Sequence, residues 1–322
     1  MGIRIIHMNL LISHGSALEF WRNHSTRAIN LAKNGRQQTA PTDAPNQKEV
    51  VSIARTLGLS LPVSVTIGDA QVRRLSQTVK PHLLTSPLPR GSLLDLGEGT
   101  LVASPELCYL QLAEQLSLIE LVKLGMELCG SYSLAAGETK GGFINLPPLT
   151  TVSKLATYIE RFSGKHGRRL ATQALQYLAD NSASPMETKL TMLLTLPYRL
   201  GGYRFPMPIL NARIVPTKTS KLSASKSHYF CDLYWPNHSL AVEYDSDSFH
   251  TGAERIADDS KRRNSLSALG ITVITVTNRQ MSGITEFRNV ARHIASFMGR
   301  RLFGTHKPEF NLAQQKLRLL LH

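Results

Sequence analysis

The chain has 322 residues, with 37 lysines and arginines against 23 aspartates and glutamates, so its formal net charge is +14. At 42% hydrophobic and 19% charged residues it is neither a disordered nor a fibrous chain, and no apolar run approaches the ~18–20 residues of a membrane span. The length predicts two domains, each with its own core. Three widely spaced cysteines, Cys108, Cys129 and Cys231, make neither a disulfide framework nor a zinc site. With no small-residue cleavage site after the first residues, the expected location is the cytoplasm.

Ser13–Arg22 opens with cap-like residues and continues at helical spacing. Residues 35–48 are polar and read as a loop, and Val63–Ile67 reads as a strand. Leu83–Gly99 suggests loops around short strands. Ser104-Pro105-Glu106 starts a helix, with serine as N-cap, proline at N1 and an acid in the first turn. Cys108, Leu112 and Leu116 follow at i, i+4 and i+8, and a second helix is expected over Leu118–Leu128. Residues 137–151 are rich in glycine and proline and read as a linker, which predicts domains at 1–150 and 151–322.

Val152–Leu178 returns to helical spacing, broken near Gly164–Gly167. A helix starts at Ser184-Pro185-Met186-Glu187, Tyr203–Leu210 is extended, and His228–Trp235 and Ser239–Asp245 are strands around a Pro-Asn-His turn. Thr251–Leu269 is helical and stops at Gly270. Ile271–Thr277 is a β-branched strand, followed by helices over Glu286–Arg301 and Asn311–Leu321. This order predicts an α/β domain on one mixed sheet flanked by helices, beside an N-terminal α+β accessory domain, so α+β for the whole chain.

The charge is uneven. Residues 1–150 carry 13 basic and 11 acidic side chains, and residues 151–322 carry 24 and 12. The basic excess therefore points to a polyanion partner for the second half, a solvated surface being the alternative. Within that half, Ser227–Glu254 has no lysine or arginine but five carboxylates: Asp232, Glu243, Asp245, Asp247 and Glu254. An acidic island in a basic surround suits a site that holds a divalent cation against phosphate.

A hairpin turn centred between Asn237 and His238 places Asp232 directly opposite Glu243. Alternation then puts Asp245 on the same face. Like charges opposed across strands destabilise a sheet, and a hard cation with oxygen ligands offsets that cost most directly. Mg²⁺ is the expected ion, with Mn²⁺ as a substitute, bound by Asp232, Glu243 and Asp245. The alternative is an edge hairpin whose carboxylates are solvated.

The ordered set Ser-Pro-Met-Glu187, Cys-Asp232-Leu-Tyr-Trp-Pro, Leu-Ala-Val-Glu243-Tyr-Asp245 and His250 resembles the very-short-patch-repair-like branch of the PD-(D/E)XK nucleases. Asp258/Asp259, Arg262/Arg263 and the strand Ile271–Thr277 continue the pattern, so the resemblance covers about residues 184–300. The N-terminal half, with SHGSALEFW and SPELCYLQLA, more faintly resembles the accessory region of such proteins and AbiEi-type antitoxins and regulators.

The resemblance implies metal-dependent hydrolysis of a nucleic-acid phosphodiester, of DNA rather than RNA, in repair, restriction or another defence setting. It implies Asp232 and Glu243 as ligands and His250 as the proton-transfer group. Asp245 stands where the wider family has lysine, a replacement usual in this branch. Glu187 has two readings, as the acid that the family's first helix supplies and as the N3 residue of a capping box. Lys261-Arg262-Arg263 reads as a solvated run, with Asp258 and Asp259 as local partners of Arg262. A non-catalytic DNA-binding regulator or antitoxin-like protein on a retained nuclease scaffold is the alternative function. No membrane partner is expected.

Overall fold

The computed structural model describes residues 10–24, 33–34, 39–134, 142–164, 167–216, 227–245 and 253–321; of 33–34 and 253–259 only the backbone is described. The chain divides into two compact units, Met1–Leu178 and Ala179–His322. Helices and mixed sheets give the α+β class that the sequence predicts.

The first unit contains β1 (Leu10–Ile12), α1 (His14–Asn23), β2 (Lys33–Asn34), α2 (Gln47–Leu57), β3 (Val63–Ile67), β4 (Val79–Leu83), β5 (Leu93–Gly97) and β6 (Thr100–Ala103). It continues with α3 (Pro105–Leu112), α4 (Leu118–Leu128), the short pair β7 (Tyr132–Ser133) and β8 (Ile144–Asn145), α5 (Val152–Arg161) and α6 (Arg168–Leu175). Its main sheet has the order β2-β5-β6-β1-β3-β4. Strand β1 is buried along its length, parallel to β6 and antiparallel to β3. Helix α1 packs on α3 and β3, and its Trp21 is fully buried with Nε1 donating to the Ala103 carbonyl at 3.0 Å. Helix α3 begins as its sequence predicts, Ser104 accepting from the Leu107 amide with Pro105 in the first turn.

The expected boundary at 150/151 is corrected to 178/179. Leu155, Ile159, Ala171 and Ala174 form apolar stripes on α5 and α6 that bury against α3 and α4. The described part of the expected linker includes β8, which pairs with β7 inside the first unit. Glycine and proline there mark a turn-rich excursion, and the apolar faces of the next two helices decide which core they join.

The second unit contains α7 (Pro185–Thr195), β9 (Ile209–Ile214), β10 (Tyr229–Trp235), β11 (Leu240–Asp245), α8 (Ala253–Ala268), β12 (Thr272–Thr277), α9 (Asn278–Ser282), α10 (Ile284–Phe297) and α11 (Pro308–Leu320). One mixed sheet runs β12-β11-β10-β9, with β11 and β12 parallel and the other pairs antiparallel. Helix α7 packs on β10 and β11, and α8 on β12. Leu266 of α8 joins Tyr229, Cys231, Ala241 and Ile271 in a buried cluster, with Tyr234 packed against it.

Candidate functional site

Strands β10 and β11 pair Leu233 with Val242, Tyr234 with Ala241 and Trp235 with Leu240, the register that the turn position predicts. Residues Pro236–His238 form a single 3₁₀ turn, closed by Ser239 at φ 44°. The ladder between the two strands ends at Leu233 and Val242, one step before Asp232 and Glu243. Instead of meeting Glu243, the Asp232 carboxylate crosses to β11 and accepts the Tyr244 amide proton at 2.9 Å.

Regular alternation also fails here. Cys231 and Tyr234 pack on the same cluster, although strict period-two geometry assigns them to opposite faces. The irregularity is shared by β9, whose Asn211, between the partners of Cys231 and Leu233, has φ 48°. The expected row of three carboxylates is therefore divided. Glu243 is engaged by Arg262 of α8, whose two terminal nitrogens donate to its two oxygens at 2.5 Å each. The Arg262 guanidinium also donates to the Phe230 carbonyl at 2.5 Å. Asp245, at the end of β11, is exposed.

Asp232 has a different neighbour. Burial raises its pKa above the ordinary range, against the Tyr244 hydrogen bond and the attraction of Arg262. Glu187, near the start of α7, is pushed up to about 7, first by burial and then by the charge of Asp232. Its oxygens accept from the Ala183 amide at 2.8 Å and the Ser184 hydroxyl at 3.0 Å, while Ser184 Oγ accepts from the Glu187 amide at 3.1 Å. This is a capping arrangement displaced by one residue, because the carboxylate reaches the amide before the N-cap residue. Glu187 thus caps its helix and neighbours Asp232 as well.

Among the described residues, no group of three or more histidine, cysteine, aspartate or glutamate side chains is placed to hold a metal ion. The expected ligand set Asp232, Glu243 and Asp245 is not assembled, because each acid has a separate surrounding. The donor chemistry of Asp232 and Glu187 fits a hard cation: one half-buried and one buried, both are oxygen donors whose charged forms are disfavoured. Glu243 does not fit while both oxygens are held by Arg262. His250 and Asp247 lie outside the described residues, as do the side chains of Glu254, Asp258 and Asp259.

The solvated reading of Lys261-Arg262-Arg263 is corrected for Arg262, while Lys261 and Arg263 are exposed. Arg262 lies four residues before the buried Leu266, so helical geometry turns both toward the sheet. That i, i+4 relation is the signal in the sequence that marks Arg262 as a site residue. Trp235 is a core residue, its Nε1 donating to the Pro206 carbonyl at 2.8 Å. Comparison of the chain with family models, with curated proteins and with solved structures returns no match. No helix of the described residues is long and apolar enough to cross a membrane.

Proposed function

We propose that residues 179–322 form a divalent-metal-dependent endonuclease domain that hydrolyses DNA phosphodiester bonds, in repair, restriction or phage defence. The observation that carries this reading is the electrostatic proximity of two carboxylates, the buried Glu187 of α7 and the half-buried Asp232 of β10, whose charged forms are disfavoured in the folded chain. Two such acids, one in the first turn of a helix and one on the neighbouring strand, are an arrangement that structural stability alone does not favour. The basic excess of the second half supplies phosphate-binding side chains, among them the exposed Arg213, Lys261, Arg263 and Arg279. Cysteines that form no disulfide suit a cytoplasmic setting.

Asp232 and Glu187 would hold the cation, and Glu243 joins them only when Arg262 lets go. A bound Mg²⁺ or Mn²⁺ would neutralise phosphate charge and lower the pKa of an attacking water. The chain's own contributions are positional: the Tyr244 amide orients the Asp232 carboxylate, and the Ala183 amide and Ser184 hydroxyl orient Glu187. His250 and Asp245 are proposed as the proton-transfer group and the third acid of this site.

The test is nicking of supercoiled plasmid DNA by the full chain with Mg²⁺ or Mn²⁺. Asp232→Asn is expected to reduce the rate at least about a hundredfold while leaving DNA binding intact. A second reading is favoured by Arg262, which already neutralises Glu243: a DNA-binding regulator or antitoxin-like protein that keeps the nuclease scaffold without its chemistry. Salt-sensitive DNA binding with neither metal uptake nor nicking under any divalent ion establishes that reading instead.

A further inference from the structure

The first unit contains a cavity of about 240 Å³ bounded by β3, β4 and α3. Its polar lining is His14, Thr66, Arg73, His82, Gln111 and Glu114, and leucines of β4 and α3 together with Phe162 supply the apolar wall. The two imidazoles stack face to face, with ring centroids 3.7 Å apart and planes 17° from parallel. Neither belongs to the candidate nuclease site.

Three features distinguish this cavity from a packing void. His14, at the joint between β1 and α1, has φ 50°, a left-handed conformation that a histidine adopts only when its surroundings impose it. Those surroundings are present: the His14 amide donates to Gln111 Oε1 at 3.1 Å, and Gln111 Nε2 donates to Thr66 Oγ1 at 3.1 Å. Ser13, which the sequence marks as a capping residue, makes no side-chain cap; its hydroxyl lies 3.0 Å from His14 Nδ1. Lastly, His82 lines the cavity, and its Nε2 is a buried polar atom without a hydrogen-bond partner.

The charges favour an anion. Arg73 lines the cavity and Lys80 acts electrostatically on both rings, with Glu114 as the single lining carboxylate. Burial holds both imidazoles neutral, His14 at about 3 with His82 and Lys80 adding to the effect, and His82 at about 4 with Lys80 and Arg73 adding. An oxyanion beside Arg73 reverses that repulsion, while an apolar body rests on the leucines.

We propose that this cavity is a binding site for a small molecule bearing a phosphate or carboxylate group, with Arg73 as its anion contact, the stacked His14 and His82 rings as its wall and Gln111 as the residue that positions His14. The proposal is independent of the nuclease reading, which concerns the other unit.

Titration of the full chain with phenyl phosphate and, separately, with butyrate tests it, following the imidazole NMR signals of His14 and His82. The expected result is a saturable shift of both rings by one probe, which identifies phosphate or carboxylate as the preferred group, together with a rise in Tm. Arg73→Ala, at an exposed position, is expected to weaken binding on the order of tenfold, and His82→Phe to weaken it further. Non-saturating shifts with both probes, shifts reproduced by chloride at equal ionic strength, or affinity unchanged in Arg73→Ala overturn the proposal. The Arg73 variant decides the matter even if His82→Phe fails to fold.

Discussion

Among the described residues, each unit has a glutamate gripped by an arginine through two hydrogen bonds, and the two pairs do different work. In the first unit, Arg22 of α1 holds Glu127 of α4 at 2.7 and 2.8 Å, and Glu127 also accepts the Leu134 amide at 3.0 Å. The pair joins two helices that are 105 residues apart in sequence. In the second unit, Arg262 holds Glu243 at the same exposure of its own side chain, 30% in both cases. Beside that pair lie Asp232, which attracts Arg262 electrostatically, and Cys231, whose thiol is pushed up to about 12 by burial and then by Glu243. The same chemical pair is a helix clasp in one place and the neutralising member of an acidic cluster in the other. An ion pair therefore acquires its meaning from the charges around it.

That contrast can be broken most sharply at Arg22. Arg22→Met leaves Glu127, whose side chain is 4% exposed, buried without its cation. A loss of about 3 kcal/mol is expected in urea unfolding, and added Mg²⁺ is not expected to restore it. Recovery in Mg²⁺ would remove the distinction between the two pairs.

Arg262→Gln is the matching change in the second unit. The carboxylate left behind is less completely buried, Glu243 being 11% exposed against 4% for Glu127, so the expected loss is smaller, about 2 kcal/mol. Here Mg²⁺ or Mn²⁺ is expected to recover stability, because the freed Glu243 joins Asp232 and Glu187 as an oxygen donor. Tm measured against divalent-ion concentration checks this, and a flat response in the variant argues for the scaffold reading.

The smallest effect sharpens the comparison through pH. Glu187 has a folded-state value raised from 4.5 to about 7, so the folded chain binds more protons than the unfolded chain between those values. Stability contributed by this group is fully present below pH 4.5 and is lost as the pH rises toward 7. Glu187→Gln is expected to flatten that part of the stability profile. An unchanged slope in the variant would show that Glu187 is ordinary in the folded state.

Much of the second unit was legible in local sequence. The order α7, β10, β11, α8, β12, α10, the register of the β10–β11 hairpin and the stop of α8 before Gly270 follow from capping, turn chemistry and β-branched runs, whereas β9 starts only at the end of the expected extended segment Tyr203–Leu210 and the short α9 was not expected. The opposition of Asp232 and Glu243 did not follow, although the register was right. A break in alternation at Cys231–Tyr234, matched by Asn211 across the sheet, sends Asp232 to the Tyr244 amide. The boundary at 178/179 was illegible for a related reason: an amphipathic helix announces that it has an apolar face without naming the core it meets.

By itself, then, the sequence determined the α+β class, the four-stranded mixed sheet and the concentration of acids within a basic half. Those features depend on neighbours a few residues apart, where hydrogen bonding and side-chain period act directly. Only the tertiary structure decided that Arg262 pairs with Glu243, that Glu187 keeps company with Asp232, and that His14 and His82 stack over a cavity. These are choices of partner among groups distant in sequence. They are made by packing, because a buried charge or ring takes the partner that the surrounding elements bring within reach.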